Sequence, residues 1–454
     1  MTDFRGVNST ASPALQIDYR SLLKVAVPIS LGTMIQFIVV LTDNFFLARS
    51  GQAAINGAGN AGLVYLTFEM LAIGSGAAFQ ILIARRLGEH RRDAALVALR
   101  TGILFHLGLG ILLTALTAIL NQSAFALLIA DAETRAVFAP FLSIRLLGFV
   151  PLSIVLVLNA FFTGSARTWP ILIVAGCMAG LNVVLDAAWV EGWWGFAARG
   201  PLGAAWASLV AEWAGCFLGL GLTWWVVPDL RQNRTVLTRE EFKRWWGLAR
   251  PLMGQLLLTI ATWTSFFFLV EKVGGLELKV SHVARNLFML AFIVAQGMGQ
   301  TTRTYISTLL GSQQGHLIRP ALQRIVVLNV LGILLTCHGF LLYPEALASI
   351  FFDDAIGIEA MRKTLLVIFS AVSLYAFTGI ALAVLQGSGA TKEAFRVELL
   401  AVGMYMIASV MMTVVWPQPV WVIWRVEWVY FSLIGVGSFW FLRGGGWRTA
   451  MARH

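Results

Sequence analysis

The chain has 454 residues, of which 58% are apolar and only 12% are charged. A water-soluble domain carries about twice that fraction of charged residues. The composition therefore excludes an ordinary soluble domain and favours a protein that lies in a membrane. The net charge of +10 would suggest nucleic-acid binding in a soluble protein, but here the basic residues cluster at the ends of apolar segments.

Apolar segments long enough to cross a hydrocarbon core of ~30 Å recur along the whole chain. Each must be helical, because lipid offers the backbone no hydrogen-bonding partner. The prediction is an all-α membrane protein with twelve transmembrane helices in two six-helix bundles. In chain order, the predicted helices 1 to 12 cover residues 24–48, 57–84, 101–121, 138–163, 170–190, 202–227, 251–270, 282–307, 322–343, 364–386, 397–416 and 423–442.

The two halves repeat each other at a constant offset of 223 residues, the separation of Pro28 and Pro251. Internal repeats of this kind are typical of secondary transporters, in which two bundles can rock around a site between them. Other residue pairs at helix boundaries keep the same offset: Gly51 with Gly274, Gly88 with Gly311, and Gly164 with Gly387. The predicted organisation is a flexible cytoplasmic tail, two lobes joined by a cytoplasmic linker, and a second tail: 1–20, 21–228, 229–250, 251–442 and 443–454.

The basic residues lie mainly on one side of the predicted membrane. With the N-terminus in the cytoplasm, 22 of the 33 Lys and Arg fall on the cytoplasmic side, 8 on the opposite side and 3 within helices. The densest clusters follow helix 2, within 85–92, and helix 6, within 231–250. The positive-inside rule therefore predicts that both termini are cytoplasmic, and nucleic-acid binding is not needed to explain the charge.

Acidic residues inside the predicted helices are the main functional signal, because a charge in hydrocarbon is costly and usually marks a transport pathway. Helices 1 and 5 run in the same direction, so Asp43 and Asp186 are predicted at similar depth. Asn182 lies one turn before Asp186, and Gln36 lies two turns before Asp43, each on the face of its acid. The four acids well within apolar runs are all in the first half: Asp43, Glu69, Asp186 and Glu212.

Two carboxylates at one depth, with amide oxygens one turn deeper, can hold a monovalent cation or share a proton. The alternative is that each acid has a purely structural partner, for which Arg145 in helix 4 is a candidate. Glu69 and Glu212 have no polar neighbours in sequence that would support an ion site. The three cysteines lie inside predicted helices without ligand-like spacing, so neither a disulfide nor a metal cluster is predicted.

The order and spacing of several segments resemble the multidrug and toxic compound extrusion (MATE) family over almost the entire chain. The segments are LKVAVPISLGTMIQFIVVLTDNFFLARSG, ARRLGEHRRDAAL, LNVVLDAAW, PLGAAWAS, and RNLFMLAF followed by STLLGSQQG. The resemblance implies a V-shaped exporter with two lobes, driven by an inward Na⁺ or H⁺ gradient and requiring no other cofactor. It also implies a multi-pass protein of the bacterial inner membrane, expected to act as a monomer on drug-like or metabolite substrates.

The ion site in the first lobe of the family maps onto this chain residue by residue. The Asp of helix 1 corresponds to Asp43, and the Asn and Asp of helix 5 correspond to Asn182 and Asp186. A hydroxyl residue of helix 6 corresponds to Ser208, and an Asn of helix 4 to Asn159, although Asn159 lies nearer the cytoplasmic end. The resemblance thus implies that H⁺ or Na⁺ binds at this group, with Na⁺ held by the two carboxylates and the amide.

The chain departs from one branch of the family, which carries coupling acids in helices 7 and 10 of the second lobe. Residues 252–270 and 364–386 contain no acid, so the coupling site is predicted in the first lobe only. At the offset of 223, Asp43 corresponds to Phe266 and Asp186 to Ser409. The scaffold is therefore repeated, whereas the polar site is not.

The predicted function is secondary antiport, not enzymatic catalysis: amphipathic, often cationic molecules leave in exchange for H⁺ or Na⁺, with substrate contacts from Gln36, Glu69 and Glu212. The alternative is a lipid-linked oligosaccharide flippase of the same superfamily, whose cavity should be cationic to match a pyrophosphate. A membrane-embedded transferase is disfavoured because the sequence contains no paired His/Asp motif, metal-ligand cluster or nucleotide-binding segment. A structural or receptor role would not explain a duplicated bundle with intramembrane carboxylates.

Overall fold

A computed structural model of the protein describes residues 16–123, 129, 131–231, 235–445 and 447. Over these residues the regular structure is helical, without a β-strand. Twelve of the helices are long and apolar enough to cross a membrane. The predicted all-α membrane fold with two six-helix lobes is therefore confirmed.

The membrane-spanning helices are numbered α1 to α12, and each overlaps the predicted helix of the same number. The first lobe contains Tyr19–Arg49, Gln52–Gly88, Arg92–Asn121, Ala132–Gly164, Trp169–Trp189 and Pro201–Val226. The second lobe contains Arg239–Glu271, Gly275–Gly311, Gly315–Leu342, Ala355–Gly387, Thr391–Val415 and Val420–Arg443.

Part of the connection between the lobes is helical, because α7 already begins at Arg239 within the segment 229–250. Thr238 and Glu241 form a capping box at this end. The Glu241 N–H donates to the Thr238 hydroxyl at 3.3 Å, and the Thr238 N–H donates to the Glu241 carboxylate at 3.1 Å. These reciprocal bonds satisfy backbone donors that the first turn leaves free, which explains why the helix starts here.

Helix α7 packs in both lobes. Trp245, in its first turns, stacks on Phe79 of α2 with ring centroids 4.3 Å apart, inside a core formed mainly by the first lobe. Phe266, near its other end, lies in the core of the second lobe. Pro251 separates these two parts and lacks the N–H that an α-helix needs at this position. The repeated proline therefore stands where the chain passes from one lobe to the other.

The lobes are hydrogen-bonded to each other on the side of the bundle where α1 begins and α2 ends, here called the proximal side. Gln80 of α2 donates to the Gln300 carbonyl at 2.9 Å and to the Thr304 hydroxyl at 3.0 Å, both on α8. Thr308 of α8 donates to the Ala84 carbonyl at 3.3 Å. The opposite side, where α1 ends and α2 begins, is called the distal side.

Two glycines matched by the repeat lie where α2 crosses α8. A Cβ at Gly88 would collide with the backbone of Thr308, and a Cβ at Gly311 would collide with the backbone of Arg85. Gly88 corresponds to Gly311 at the offset of 223, and Arg85 corresponds to Thr308. The crossing is therefore nearly two-fold symmetric, and the absence of side chains at both glycines permits the close approach.

Candidate functional site

Helices α1, α5 and α6 bring together four of the predicted site residues. The Asp43 carboxyl interacts with the side chains of Asp186, Asn182 and Ser208. The Asn182 amide donates to the Ser208 hydroxyl, with Nδ2 and Oγ 3.4 Å apart. Asn182 and Asp186 point the same way because residues four apart share a face of an α-helix.

Four oxygens of this group are buried and have no hydrogen-bond donor: Asp43 Oδ1, Asn182 Oδ1 and both carboxylate oxygens of Asp186. Asp186 is fully buried, and Asn182 exposes only 2% of its surface. Leaving a buried acceptor without a donor costs roughly 1–3 kcal/mol, and more when the acceptor is charged. Carboxylate and amide oxygens are also the ligands that hard cations prefer. The group therefore has the chemistry to hold a proton or Na⁺.

The structure does not bring Asn159 to this group. Asn159 lies five residues before the proximal end of α4 at Gly164, whereas Asp43 lies six residues before the distal end of α1 at Arg49. Because a helix rises about 1.5 Å per residue, the two side chains lie near opposite sides of the lobe. The expectation that Asn159 contributes to the ion site is therefore not met. Gln36 lies two turns from Asp43 on α1 and is exposed.

A second polar group of the first lobe surrounds Arg145. Its Nη2 donates to Glu212 Oε1 at 2.8 Å, and the guanidinium lies 4.3 Å from the centroid of the Tyr65 ring. The Tyr65 hydroxyl lies 3.4 Å from both carboxylate oxygens of Glu212. Glu69, one turn after Tyr65 on α2, is half-buried and interacts electrostatically with the ion pair. The direct ion-pair partner of Arg145 is therefore Glu212.

A break in α4 positions Arg145 against α6. The 3₁₀ turn Leu146–Gly148 directly follows Arg145. Pro151 explains the break, because proline lacks an N–H and its ring clashes with the carbonyl group four residues earlier. Gly148, at the end of the turn, lies directly against the Glu212 carboxylate, where a Cβ would collide. The sequence of α4 thus creates the space in which the ion pair forms.

Comparison with known proteins identifies the family. The MatE family model matches residues 28–188 and 251–411, two segments separated by the same offset of 223 residues as the repeat. Together the segments cover more than half of the chain. The chain belongs to the MATE family.

Similar proteins match most of the MATE chain in sequence, and solved structures match nearly all of it in fold. The probable multidrug resistance protein NorM of Thermotoga maritima is 24% identical over 76% of this chain and 74% of its own length. A MOP superfamily transporter from Pyrococcus furiosus, described as having a binding pocket of reverse polarity, has a TM-score of 0.84 and 19% identity, covering 95% of this chain and 96% of its own. An outward-facing multidrug resistance MATE transporter has a TM-score of 0.82 and 18% identity, with the same coverage. These structures confirm the MATE fold.

The second lobe of this MATE chain contains buried acids that the sequence analysis missed. Glu398 in α11 exposes 1% of its surface and Glu427 in α12 exposes 3%. Both stand near the start of predicted apolar runs, 397–416 and 423–442, and so resembled boundary residues. However, α11 begins at Thr391 and places Glu398 two turns inside the helix. The four acids of the first half are therefore not the only buried acids of the described residues, and Glu398 was missed because α11 extends beyond its apolar centre.

Glu398 has a full set of hydrogen-bond donors. Its Oε2 accepts from Gln255 at 3.0 Å, and its Oε1 accepts from the hydroxyl groups of Thr259, at 2.8 Å, and Tyr430. Gln255 and Thr259 are one turn apart on α7, and Tyr430 is on α12. The three donors hold the carboxylate between helices, so it needs no added ion to satisfy its oxygens.

Proposed function

We propose that this MATE transporter exports amphipathic, cationic small molecules in exchange for H⁺ or Na⁺. The observation that carries the proposal is the buried group of donor-free oxygens from Asp43, Asn182 and Asp186. The name of the Thermotoga relative, a probable multidrug resistance protein, supports the export of drugs. No oxygen of this group has a fixed positive charge bonded to it, so the coupling cation would supply that charge.

The carboxylates would bind the ion in sequence. Asp43 is half-buried, whereas Asp186 is fully buried, so an ion entering from the distal side would meet Asp43 first. Two ionised carboxylates in contact repel each other, and neither can donate a hydrogen bond. A proton or Na⁺ relieves the repulsion and satisfies the free oxygens. Its binding would therefore change the charge balance between α1 and α5.

The two lobes would alternate between conformations open to opposite sides. The inter-lobe bonds of Gln80 and Thr308 join the lobes on the proximal side, which would be closed in this conformation. By the positive-inside rule, the excess of basic residues would place this side and both termini in the cytoplasm. The bacterial relatives support a location in the inner membrane. This conformation would then release substrate outwards, and breaking the proximal bonds would open the cavity inwards. Ion binding shifts the equilibrium only if the two conformations bind the ion with different affinities.

Substrate recognition would use the acidic side of the first lobe. Glu69 is half-buried and Gln36 is exposed, so both remain available as contacts for a cationic substrate. Glu212 is already paired with Arg145, and we assign it to charge balance instead of direct contact. The excess of carboxylates would repel the negatively charged pyrophosphate of a lipid-linked oligosaccharide. The flippase alternative is therefore not adopted.

Exchange of ethidium in proteoliposomes tests the proposal, with a proton gradient and a Na⁺ gradient imposed separately. One of the gradients should drive exchange by the wild-type protein. Asp43→Asn and Asp186→Asn should each reduce gradient-driven exchange to the level of protein-free vesicles while the protein stays folded. Glu398→Gln is the matched control, because Glu398 is equally buried but fully hydrogen-bonded. Normal exchange by both Asp variants would remove this site from the mechanism.

A further inference from the structure

Arg145 lies within electrostatic range of two groups of acids in the first lobe. One group consists of Glu212 and Glu69, and the other consists of Asp43 and Asp186. The guanidinium interacts electrostatically with all four carboxylates. The acids come from α1, α2, α5 and α6, and the arginine comes from α4. Five helices of the lobe therefore contribute a charged side chain to one interior region.

The hydrogen bonds of the guanidinium are divided unequally. Nη2 donates to Glu212, whereas Nη1 is buried and has no acceptor. The Arg145 side chain is only 14% exposed and that of Glu212 only 8%, so the pair is largely shielded from solvent. Asp43 and Asp186, by contrast, have buried acceptors without a donor. The same interior region thus contains a free donor on a cation and free acceptors on two carboxyl groups.

The charges of this region do not balance through Arg145 alone. Four ionised carboxylates and one guanidinium would leave a formal charge of −3. Such a charge in a low-dielectric interior must be compensated by protons, by a bound cation or by rearrangement of the fixed cation. Arginine stays protonated at physiological pH, so Arg145 can change only its position. Tyr65 is the other titratable side chain in contact with the ion pair.

We propose that Arg145 is a counter-cation shared between Glu212 and the Asp43/Asp186 pair, and that this sharing sets how tightly the pair holds its coupling ion. When the ion is bound, the guanidinium remains on Glu212, the acid to which it donates in this structure. When the ion leaves, the free nitrogen of Arg145 is drawn towards the two carboxylates. Arg145 is then a positioning residue that competes with the coupling ion and promotes its release. The inference rests on the proposed antiport function and adds a regulator to it.

The pH profile and the Na⁺ profile of ethidium exchange by the full-length protein in proteoliposomes test this inference. Arg145→Gln removes the competing cation, so the pH of half-maximal exchange should rise by about one unit. If Na⁺ is the coupling ion, the concentration for half-maximal exchange should fall about tenfold. Arg145→Lys retains the positive charge and should restore most of the wild-type profile. A defect of packing alone would lower the rate without moving either midpoint.

A double-mutant cycle tests whether Glu212 affects the Asp43/Asp186 pair through Arg145 or directly. Glu212→Gln releases Arg145 towards Asp43 and Asp186, so the pH midpoint should fall. In the Arg145→Gln background the same substitution should move the midpoint much less, because no cation remains to be released. Equal shifts in both backgrounds would mean that Glu212 acts on the pair directly. This result would overturn the proposal that Arg145 is shared between Glu212 and the pair.

A matched control is available at the distal rim of the same lobe. Arg49 and Glu191 form another arginine–glutamate pair, with Nη1 and Oε1 2.6 Å apart, but the Arg49 side chain is 58% exposed. Water and salt screen an exposed pair, so Arg49→Gln should leave both midpoints unchanged. A shift as large as that of Arg145→Gln would contradict the specific role of Arg145.

The possible failures are distinguishable. A folded wild-type protein whose exchange responds to neither gradient contradicts the proposed function itself. A wild-type protein that is coupled, together with an Arg145→Gln variant that keeps the wild-type midpoints, contradicts only the role of Arg145. If Arg145→Gln does not fold, Arg145→Lys and Glu212→Gln decide the question. A Glu212→Gln protein with the wild-type midpoint would then overturn the inference.

Discussion

The buried acids of the two lobes differ in the hydrogen bonds that they receive. Asp186 in the first lobe has no donor for either carboxylate oxygen, whereas Glu398 in the second lobe accepts from Gln255, Thr259 and Tyr430. Both residues are almost completely shielded from solvent. Burial therefore does not by itself identify a coupling site. An acid that neighbouring side chains satisfy can be a permanent part of its lobe, while a buried acid without donors leaves its oxygens free to accept a proton or a cation.

Two half-buried arginines show a related difference between the lobes. Arg145 bonds directly to Glu212 at 2.8 Å. Arg303 in the second lobe is linked to Glu398 only through the amide groups of Gln386 and Gln255, in a chain of side-chain hydrogen bonds. Arg145 is thus in direct contact with its acid, whereas neutral amide groups separate Arg303 from Glu398.

The largest expected difference is in stability. Asp186→Asn removes a carboxylate that has no donor, so the free energy of unfolding should rise by about 1–3 kcal/mol. Glu398→Gln places an amide group among three donors, so the free energy of unfolding should fall by about the same amount. Thermal unfolding of both variants in the same detergent, followed by tryptophan fluorescence, shows whether each substitution stabilises or destabilises the protein. Changes of the same sign would refute the distinction between the lobes.

A double substitution should make the second lobe resemble the first. Thr259→Val and Tyr430→Phe together remove two of the three donors to Glu398 while nearly preserving side-chain volume. The carboxyl group should then be more stable in its protonated form. The unfolding temperature of this variant should therefore rise as the pH is lowered from 8 to 5, relative to that of the wild type. Parallel curves for the two proteins would show that the donors do not control the protonation of Glu398.

The smallest effect is expected for an acid outside the membrane. Asp131 caps α4, and its carboxylate accepts from the Thr134 N–H at 2.8 Å. This hydrogen bonding with Thr134 lowers the pKa of Asp131 below its ordinary value of 3.8. The stability that it contributes is present above the unfolded-state pKa and is lost as the pH falls through the lower folded-state value.

Asp131→Asn should accordingly leave the profile of ethidium exchange between pH 5 and 8 unchanged. Because Asn is also a good N-cap residue, the unfolding temperature at pH 7 should change little. A shifted exchange midpoint would show that acids outside the buried groups also take part in coupling. Asp131 thus provides the baseline for the comparison of buried acids.

The sequence alone predicted more of the first lobe than of the second. Asp43, Asn182 and Asp186 interrupt long apolar runs, and helical spacing predicts which of them share a face. Glu398 and Glu427 lie near the starts of their apolar runs, so hydropathy alone did not separate them from loop residues. Asn159 was assigned to the site only through resemblance, and its position near the proximal end of α4 separates it from Asp43.

The sequence by itself determined the twelve helices, the two-lobe repeat and the positions of the acids in the first lobe. These features depend on the length of apolar segments, on the offset of 223 and on the helical period, all of which are properties of the chain. Only the tertiary structure decided which acids have partners. Arg145 meets Glu212 across α4 and α6, and Glu398 receives donors from α7 and α12. Such hydrogen bonds join residues far apart in sequence, so they are established only when the helices pack.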